Sequence, residues 1–523
     1  MRKLSKRQSE WIERTVANNR RYKVVLYNRV IVCVLLVILQ CVGFIALVDA
    51  LGRYGVAVQL FFGFVSTLFV LHLLSRTDAQ PAKVSWVILI LVAPVVGVSA
   101  YFFFGNGRST DRLCRKYTEA SKNLPALKGE PRLQEEVKAL GRAGALSLRL
   151  EGLGYPAYQG NVRYFPTGKE LFESICEAVE KAEKFIFLEF FIIAGGVMWE
   201  RLLKLLLSKA MQGVKVKIVY DDFGSVLALP PKYDRYLEGL HENIECLCFN
   251  KISPIFTLKM NHRDHRKILV VDGVVGFTGG VNIADEYIDE KRRFGYWKDT
   301  GIKVTGEAVN SLTRTFLELW TTFKAPKLSC GEYFCAKAET GAEAGFVQPY
   351  ADSPLDRTRV GEEVYLDMIE RAKDRVYITT PYLLLDDLLR SALVRAAARG
   401  VDVRVVTPGI PDKKTVYRLT RANYDDLLKA GVRVYEYTPG FLHAKSVLSD
   451  ETAVVGTVNF DFRSLYHHFE NAVYFTTPSA VDALKKDVEE IFTVSKEQTL
   501  STRKRGLLGG IVNAALRLIE PLL

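Results

Sequence analysis

Long apolar stretches open this chain, and short alternating ones fill the rest of it. Residues 30–48, 56–74 and 86–104 are each almost unbroken. Each approaches the ~20 residues that a helix needs to cross the hydrocarbon core of a bilayer. The pattern predicts a helical membrane region over residues 30–105. From about residue 156 the period shortens. KFIFLEFFII (184–193) reads as a buried strand, WERLLKLLLSKAMQG (199–213) as a helix closed by glycine, and VKVKIVYDD (214–222) as a second strand. The same order returns in RVYITTPYLL (375–384), DDLLRSALVRAAARG (386–400) and VDVRVVTPG (401–409). Two β-α-β units predict an α/β fold with parallel sheets and right-handed crossovers.

Both units close on similar segments, HRKILVVDGVVGFTGGVN (265–282) and HAKSVLSDETAVVGTVN (443–459). Each runs His-x-Lys, four residues, Asp, a short strand, then Gly-Gly or Gly-Thr, one residue and Asn. The repeat makes the chain a pseudo-dimer. At 523 residues it has the length for two such halves and more. The expected plan is a basic cytoplasmic arm (1–29), the membrane region (30–105), a linker (106–155), two halves (156–330 and 331–500) and a C-terminal amphipathic helix (501–523).

Charge sharpens the membrane end. Residues 1–29 carry nine Lys or Arg against two Glu, +7 of the +12 of the whole chain. More basic residues, Arg108, Arg112, Arg115 and Lys116, follow the third apolar run. The bias of basic flanks toward the cytoplasm asks for an even number of crossings. The first two runs then form a hairpin, and the third, with Pro94 and Gly97, lies in the interface or re-enters; three full crossings are the alternative, since the charge rule is a bias. The first run starts too late and runs too long for a cleaved signal peptide. Eight cysteines complete no familiar zinc spacing and read as reduced thiols.

Side chains two apart on a strand share a face, so His265 points with Lys267 and His443 with Lys445. Asn282 and Asn459 follow on loops that a hairpin can return to the histidines. Packed about a pseudo-twofold axis, two His, two Lys and two Asn converge on one cleft. Lysines and amides suit phosphate oxygens, while one histidine attacks phosphorus and the other protonates a leaving alcohol. That chemistry requires no metal and no cofactor. Asp272 and Asp450 stand in turns, on the face away from the histidines, and read as turn-makers. His262, His467 and His468 have no counterpart in the other half, and a zinc site on His262 and His265 lacks supporting ligands.

HRKILVVD and HAKSVLSD resemble the paired HKD motifs of the phospholipase D superfamily. NHRDHRK, TGGVNIADEY (278–287), WKDT (297–300), ITTPY (378–382) and VGTVNFDFRSLYHHFE (455–470) are similar to segments of its bacterial cardiolipin synthases. The resemblance covers nearly the whole chain. It implies two phospholipase D-like α/β/α sandwich halves behind a membrane region in the bacterial cell membrane, with the catalytic halves facing the cytoplasm. It also implies a transphosphatidylation that joins two phosphatidylglycerols and releases glycerol. By that likeness His265 is the nucleophile, His443 the acid and base, Lys267 and Lys445 the phosphate ligands with Asn282 and Asn459, and Asp272 and Asp450 members of the motif. Asp299 and Glu470 are the expected orienting carboxylates, one for each half. The expected partners are anionic phospholipids and the membrane rather than nucleic acid, with a homo-oligomer also open. Water or another alcohol as acceptor, or an inactive lipid-binding scaffold, are the competing readings. One departure from the likeness stands out: six residues separate Asp272 from Gly279, but five separate Asp450 from Gly456. Two further segments offer lipid contacts with equal rivals: 252–260, which reads as well as an ordinary buried loop, and the C-terminal helix, which reads as well as packing on the catalytic body or a second subunit.

Overall fold

The computed structural model describes residues 56–75, 80–94, 108–139, 141–252, 262–335, 343–356 and 358–500, with isolated positions elsewhere. The first apolar run, the loop 253–260 and the C-terminal helix therefore lie wholly or mainly outside the described residues.

The first half contributes nine strands: β1 (Val162–Phe165), β2 (Phe185–Phe190), β3 (Lys215–Asp221), β4 (Ile244–Phe249), β5 (Arg263–Asp264), β6 (Lys267–Val271), β7 (Val275–Gly279), β8 (Tyr296–Lys298) and β9 (Gly301–Thr305). The second contributes β10 (Val347–Asp352), β11 (Arg375–Thr379), β12 (Asp402–Pro408), β13 (Arg433–Tyr437), β14 (Gly440–Leu442), β15 (Ser446–Ser449), β16 (Thr452–Gly456), β17 (His468–Phe475) and β18 (Ser495–Glu497). The sheets run β1-β9-β7-β6-β2-β3-β4 and β10-β17-β16-β15-β11-β12-β13-β18, so the halves match strand for strand apart from the added β18.

The sheets are mixed rather than parallel. β2, β3 and β4 pair in parallel, with the helix Val197–Ala210 between β2 and β3. β11, β12 and β13 do the same, with Asp387–Ala398 and Lys414–Lys429 as their connecting helices. The His-x-Lys strands instead run antiparallel to β2 and β11. Each is followed at once by a two- or three-residue turn, so the next strand, β7 or β16, is antiparallel to it in turn. The β-α-β pattern legible in the sequence is the parallel half of each sheet alone.

Helices Gly168–Glu180 and Val197–Ala210 cover the outer face of the first sheet, and Val360–Arg371 and Asp387–Ala398 that of the second. Between the sheets lies a shared apolar core, with Phe187, Phe316 and Trp320 from the first half and Val455, Val473 and Leu484 from the second. Each half is thus an α/β/α sandwich, joined through its inner layer. The stretch 106–155, expected as a linker, holds the helices Arg108–Lys122, Pro131–Ala139 and Arg142–Gly152. Tyr117 and Leu124 enter the shared core, and Leu146 and Leu150 that of the second half.

At the N-terminal end, Val56–Ser75 packs against Gln80–Val92 around Leu73 and Ile90. The second and third apolar runs therefore pair with one another. Among the described residues no helix is long and apolar enough to cross a membrane. Leu60, Phe61, Phe64, Leu68 and Leu71 of the longer helix nonetheless stand exposed.

Candidate active site

Two short parallel pairings build the site, each between the halves. β5 runs beside the start of β17, with Asp264 opposite Phe469. β14 runs beside β8, with Leu442 opposite Lys298. The next residue along each pair is a histidine facing a carboxylate: His265 facing Glu470, and His443 facing Asp299. Backbone hydrogen bonds hold the register, His265 N to Phe469 O at 2.9 Å and His443 N to Lys298 O at 2.7 Å. His265 Nδ1 lies 2.9 Å from Glu470 Oε2, and His443 Nδ1 lies 2.6 Å from Asp299 Oδ2. The carboxylates that the resemblance implies are thus crossed over: each faces the histidine of the opposite half.

The lysines reach the same place. Lys267 Nζ donates to His265 O at 2.6 Å, and Lys445 Nζ lies 2.8 Å from His443 Nδ1. Between His265 and Lys267, Arg266 points to the opposite face of the strand and is fully buried. There its Nε meets Glu189 at 2.7 Å and Asp264 at 3.3 Å. This buried pair clamps the strand from behind.

Burial sets the protonation states. It pushes His265 down to about 3 against the pull of Glu470, and drives His443 well below its ordinary value with help from Lys445. It lowers Lys267 to about 8 and Lys445 to about 7. Asp299 is raised to about 7, chiefly by burial, with Lys445 opposing. Burial acts to raise Glu470 too, but His265 and His468 together outweigh it and hold the carboxyl below its usual range. Two neutral imidazoles thus sit among lysines whose charge is easily lost.

The glycines of the repeat have separate tasks. A Cβ on Gly280 would stand 2.1 Å from Asp299 Oδ1, so only glycine leaves room for that carboxylate. The matching position in the second half is Thr457, whose hydroxyl donates to Glu470 Oε2. Gly-Gly therefore goes with Asp, and Gly-Thr with the longer Glu. Gly279 and Gly456 instead sit against the neighbouring strand, at Gly301 and Ala472.

Asn282 and Asn459 are both buried near the cleft. Asn282 accepts from Ile192 N at 3.0 Å and donates to Tyr287 Oη at 2.7 Å, whereas Asn459 Oδ1 is buried with no hydrogen-bond partner. Asp272 and Asp450 are not brought to the histidines: the likeness carries them over with the catalytic residues of the motif, whereas the geometry matches their reading as turn-makers. They stand at the far ends of β6 and β15, each with positive φ, at 53° and 48°. Each carboxylate accepts three backbone N–H groups, from Glu183, Lys184 and Phe185 or from Lys373, Asp374 and Arg375. The unequal spacing to the glycines is absorbed in these turns, since β7 and β16 have the same length.

Beside the histidines stand several neighbours to which the sequence assigned no role. Tyr287, Trp297 and Phe441 ring His443 at 5.5–5.7 Å between ring centres, while Phe191 and His468 flank His265 at 5.1 and 5.5 Å. Strand alternation carried the signal for two of them, because Trp297 and His468 each lie two residues before an orienting carboxylate. Asn471 donates to Thr278 across the halves at 2.8 Å. His262 contacts the backbone of His467 at 3.3 Å rather than His265. His265, His468 and Glu470 hold ligand atoms within 4.8 Å of one another, spacing a metal ion accepts. Glu470 already receives Thr457 and His265 there, and the buried Lys267 disfavours a further cation.

Comparison with known proteins agrees with this geometry. The family described as "Cardiolipin synthase, PLD-like domain" matches residues 175–320 and 365–492, one stretch in each half. The chain belongs to the cardiolipin synthase family. A second family, described as "Phospholipase_D-nuclease N-terminal", matches residues 62–106. A cardiolipin synthase of Alkalihalophilus pseudofirmus is 34% identical over 469 residues, covering 88% of this chain and 92% of its own. An uncharacterized protein of Streptococcus mutans is 40% identical over 462 residues, covering 87% and 99%. Among solved structures, a phosphatidylserine synthase of Haemophilus influenzae superposes with a TM-score of 0.55 at 15% identity, covering 73% of this chain and all of its own. That likeness is one of fold.

Proposed function

We propose that this member of the cardiolipin synthase family is a membrane phosphatidyltransferase that makes cardiolipin and glycerol from two phosphatidylglycerols. The observation that carries the proposal is the crossed pair of carboxylate-held histidines with a lysine beside each. With Nδ1 turned to a carboxylate, Nε2 is the nitrogen left for substrate. His265 Nε2 attacks phosphorus, the bond to the glycerol oxygen breaks, and His443 gives that oxygen its proton. His443 then takes the proton from a hydroxyl of the second phosphatidylglycerol, whose oxygen displaces His265 and regenerates both rings.

Lys267 and Lys445 hold the phosphate oxygens, with Asn282 and Asn459 at the edge of the cleft. A phosphodiester anion seated there favours protonated neighbours and offsets the burial that keeps His443 neutral. Asp272 and Asp450 act through the turns. The exposed apolar stripe of Val56–Ser75 and the basic N-terminal arm support a place in the bacterial cell membrane, with the catalytic halves on the cytoplasmic side.

The test is direct. Full-length protein is given vesicles of labelled phosphatidylglycerol, and the lipid products are resolved for wild type, His265→Ala and His443→Ala. Cardiolipin with equimolar glycerol is expected from wild type alone. Phosphatidic acid as the main product would mean that water is the acceptor, and activity surviving both substitutions would remove the histidines from the chemistry.

A further inference from the structure

Eight large apolar side chains stand exposed on the catalytic body among the described residues, and five of them gather at one edge. Val197, Phe223 and Leu227 follow the carboxyl ends of β2 and β3, and Leu388 and Ile410 those of β11 and β12; they are 39% to 74% exposed.

That edge is where the cleft opens. The last residue of β2, Phe190, is paired with Lys267, and the last of β11, Thr379, is paired with Ser446, next to Lys445. The guanidinium of Arg263, two residues before His265, lies 5.1 Å from the centre of the Phe223 ring.

The positions correspond across the two halves. Ile193 bridges to Ile283 and Leu383 to Phe460, and the helices bearing Val197 and Leu388 start just beyond. Phe223 and Ile410 each follow the strand beside the central one by the same short step. Exposed basic residues stand on the neighbouring loops: Lys232, Lys251, Arg292 and Lys413. An exposed apolar rim with cations around it complements a surface that is anionic outside and apolar just beneath.

We propose that this rim is a lipid-docking face, which seats the cleft on an anionic bilayer so that two lipid phosphates reach His265 and His443 without leaving the leaflet. It rests on the phosphatidyltransferase reading above and adds to it how the substrate arrives. The anchor and the rim then divide the work. The N-terminal region holds the protein to the membrane, and the rim sets the orientation of the catalytic body.

The test uses full-length protein with Val197, Leu227, Leu388 and Ile410 all replaced by Ser, leaving the contact of Phe223 with Arg263 intact. Activity is measured on phosphatidylglycerol in vesicles and on short-chain phosphatidylglycerol dispersed as monomers. Docking requires a loss of about tenfold or more on vesicles, with the dispersed substrate changed less than about twofold. Equal activity on vesicles, or an equal fall on both substrates, overturns it. A second measurement does not depend on turnover. In Leu227→Trp, the emission added over wild type should be quenched by brominated acyl chains in anionic vesicles. Emission unchanged by bromination, or already shielded by self-association without lipid, overturns docking. A wild type that turns over neither substrate sinks the enzymatic reading, and quenching alone then decides the docking.

Discussion

His265 and His443 occupy equivalent positions, yet their surroundings differ residue by residue. Glu470 receives His265 and Thr457, with His468 Nδ1 at 3.4 Å, while Asp299 receives His443 and the amide of Thr300. Both carboxylates fix a tautomer, so Glu470→Gln and Asp299→Asn should each lower kcat by about 10²–10⁴ while leaving the melting temperature nearly unchanged. Steady-state rates beside thermal unfolding check this, and a variant that keeps wild-type kcat would strip its carboxylate of the role. The lysines predict a pH limb. Burial lowers Lys445 to about 7 and Lys267 to about 8, and each must stay charged to hold phosphate. kcat/KM should therefore fall as pH rises through 7 to 8. Lys445→Arg, charged throughout, should move the limb to higher pH even if its peak is lower. A limb that stays in place would assign it to another group. At this scale the sequence was most legible, because the repeat singled out His-x-Lys and the asparagines. It could not say which carboxylate serves which histidine, since that depends on pairing between residues 205 and 144 positions apart.

At the scale of elements, the His-x-Lys hairpin explains why the motif carries an aspartate that stands away from the histidines. Asp272 turns the chain at φ 53° and collects the amides of residues 183–185 at the start of β2. It thereby sets the strand carrying Lys267 against the central strand. Asp272→Asn tolerates the left-handed backbone but weakens the charged acceptor, at a cost of about 1–2 kcal/mol. Thermal unfolding should reveal that loss, with kcat per folded molecule kept within about threefold. A fall in kcat comparable to that of His265→Ala, without a lower melting temperature, would return Asp272 to the chemistry. Strand alternation made the turn legible, but not the three amides it gathers, which come from a segment some ninety residues earlier. For the same reason the sheets read as parallel: the β-α-β units show in local hydrophobic runs, whereas the antiparallel returns are spread over short strands with no helix between them.

At the scale of the whole molecule, neither half owns a complete site, so whatever docks the halves also builds the chemistry. The apolar core between the sheets supplies most of the adhesion, and a buried polar tie sets the alignment. Asp487, on the helix Pro478–Thr493 of the second half, accepts from Tyr164 at 2.6 Å and pairs with Lys298 at 2.6 Å. Lys298 is also the residue whose carbonyl receives the amide of His443. Removing one member of a buried pair leaves the other uncompensated, typically at about 3–5 kcal/mol. Asp487→Ala should therefore lower stability by an amount of that order and reduce activity in the protein that remains folded, because Lys298 loses its anchor beside Asp299 and His443. Lys298→Met in the same chain removes the stranded charge and should recover much of the stability, without necessarily recovering the rate. Denaturant unfolding followed alongside kcat separates the two effects. If Asp487→Ala lost stability but its folded fraction turned over at the wild-type rate, the tie would hold the halves together without aligning them, and the alignment of the site would rest on the paired strands alone.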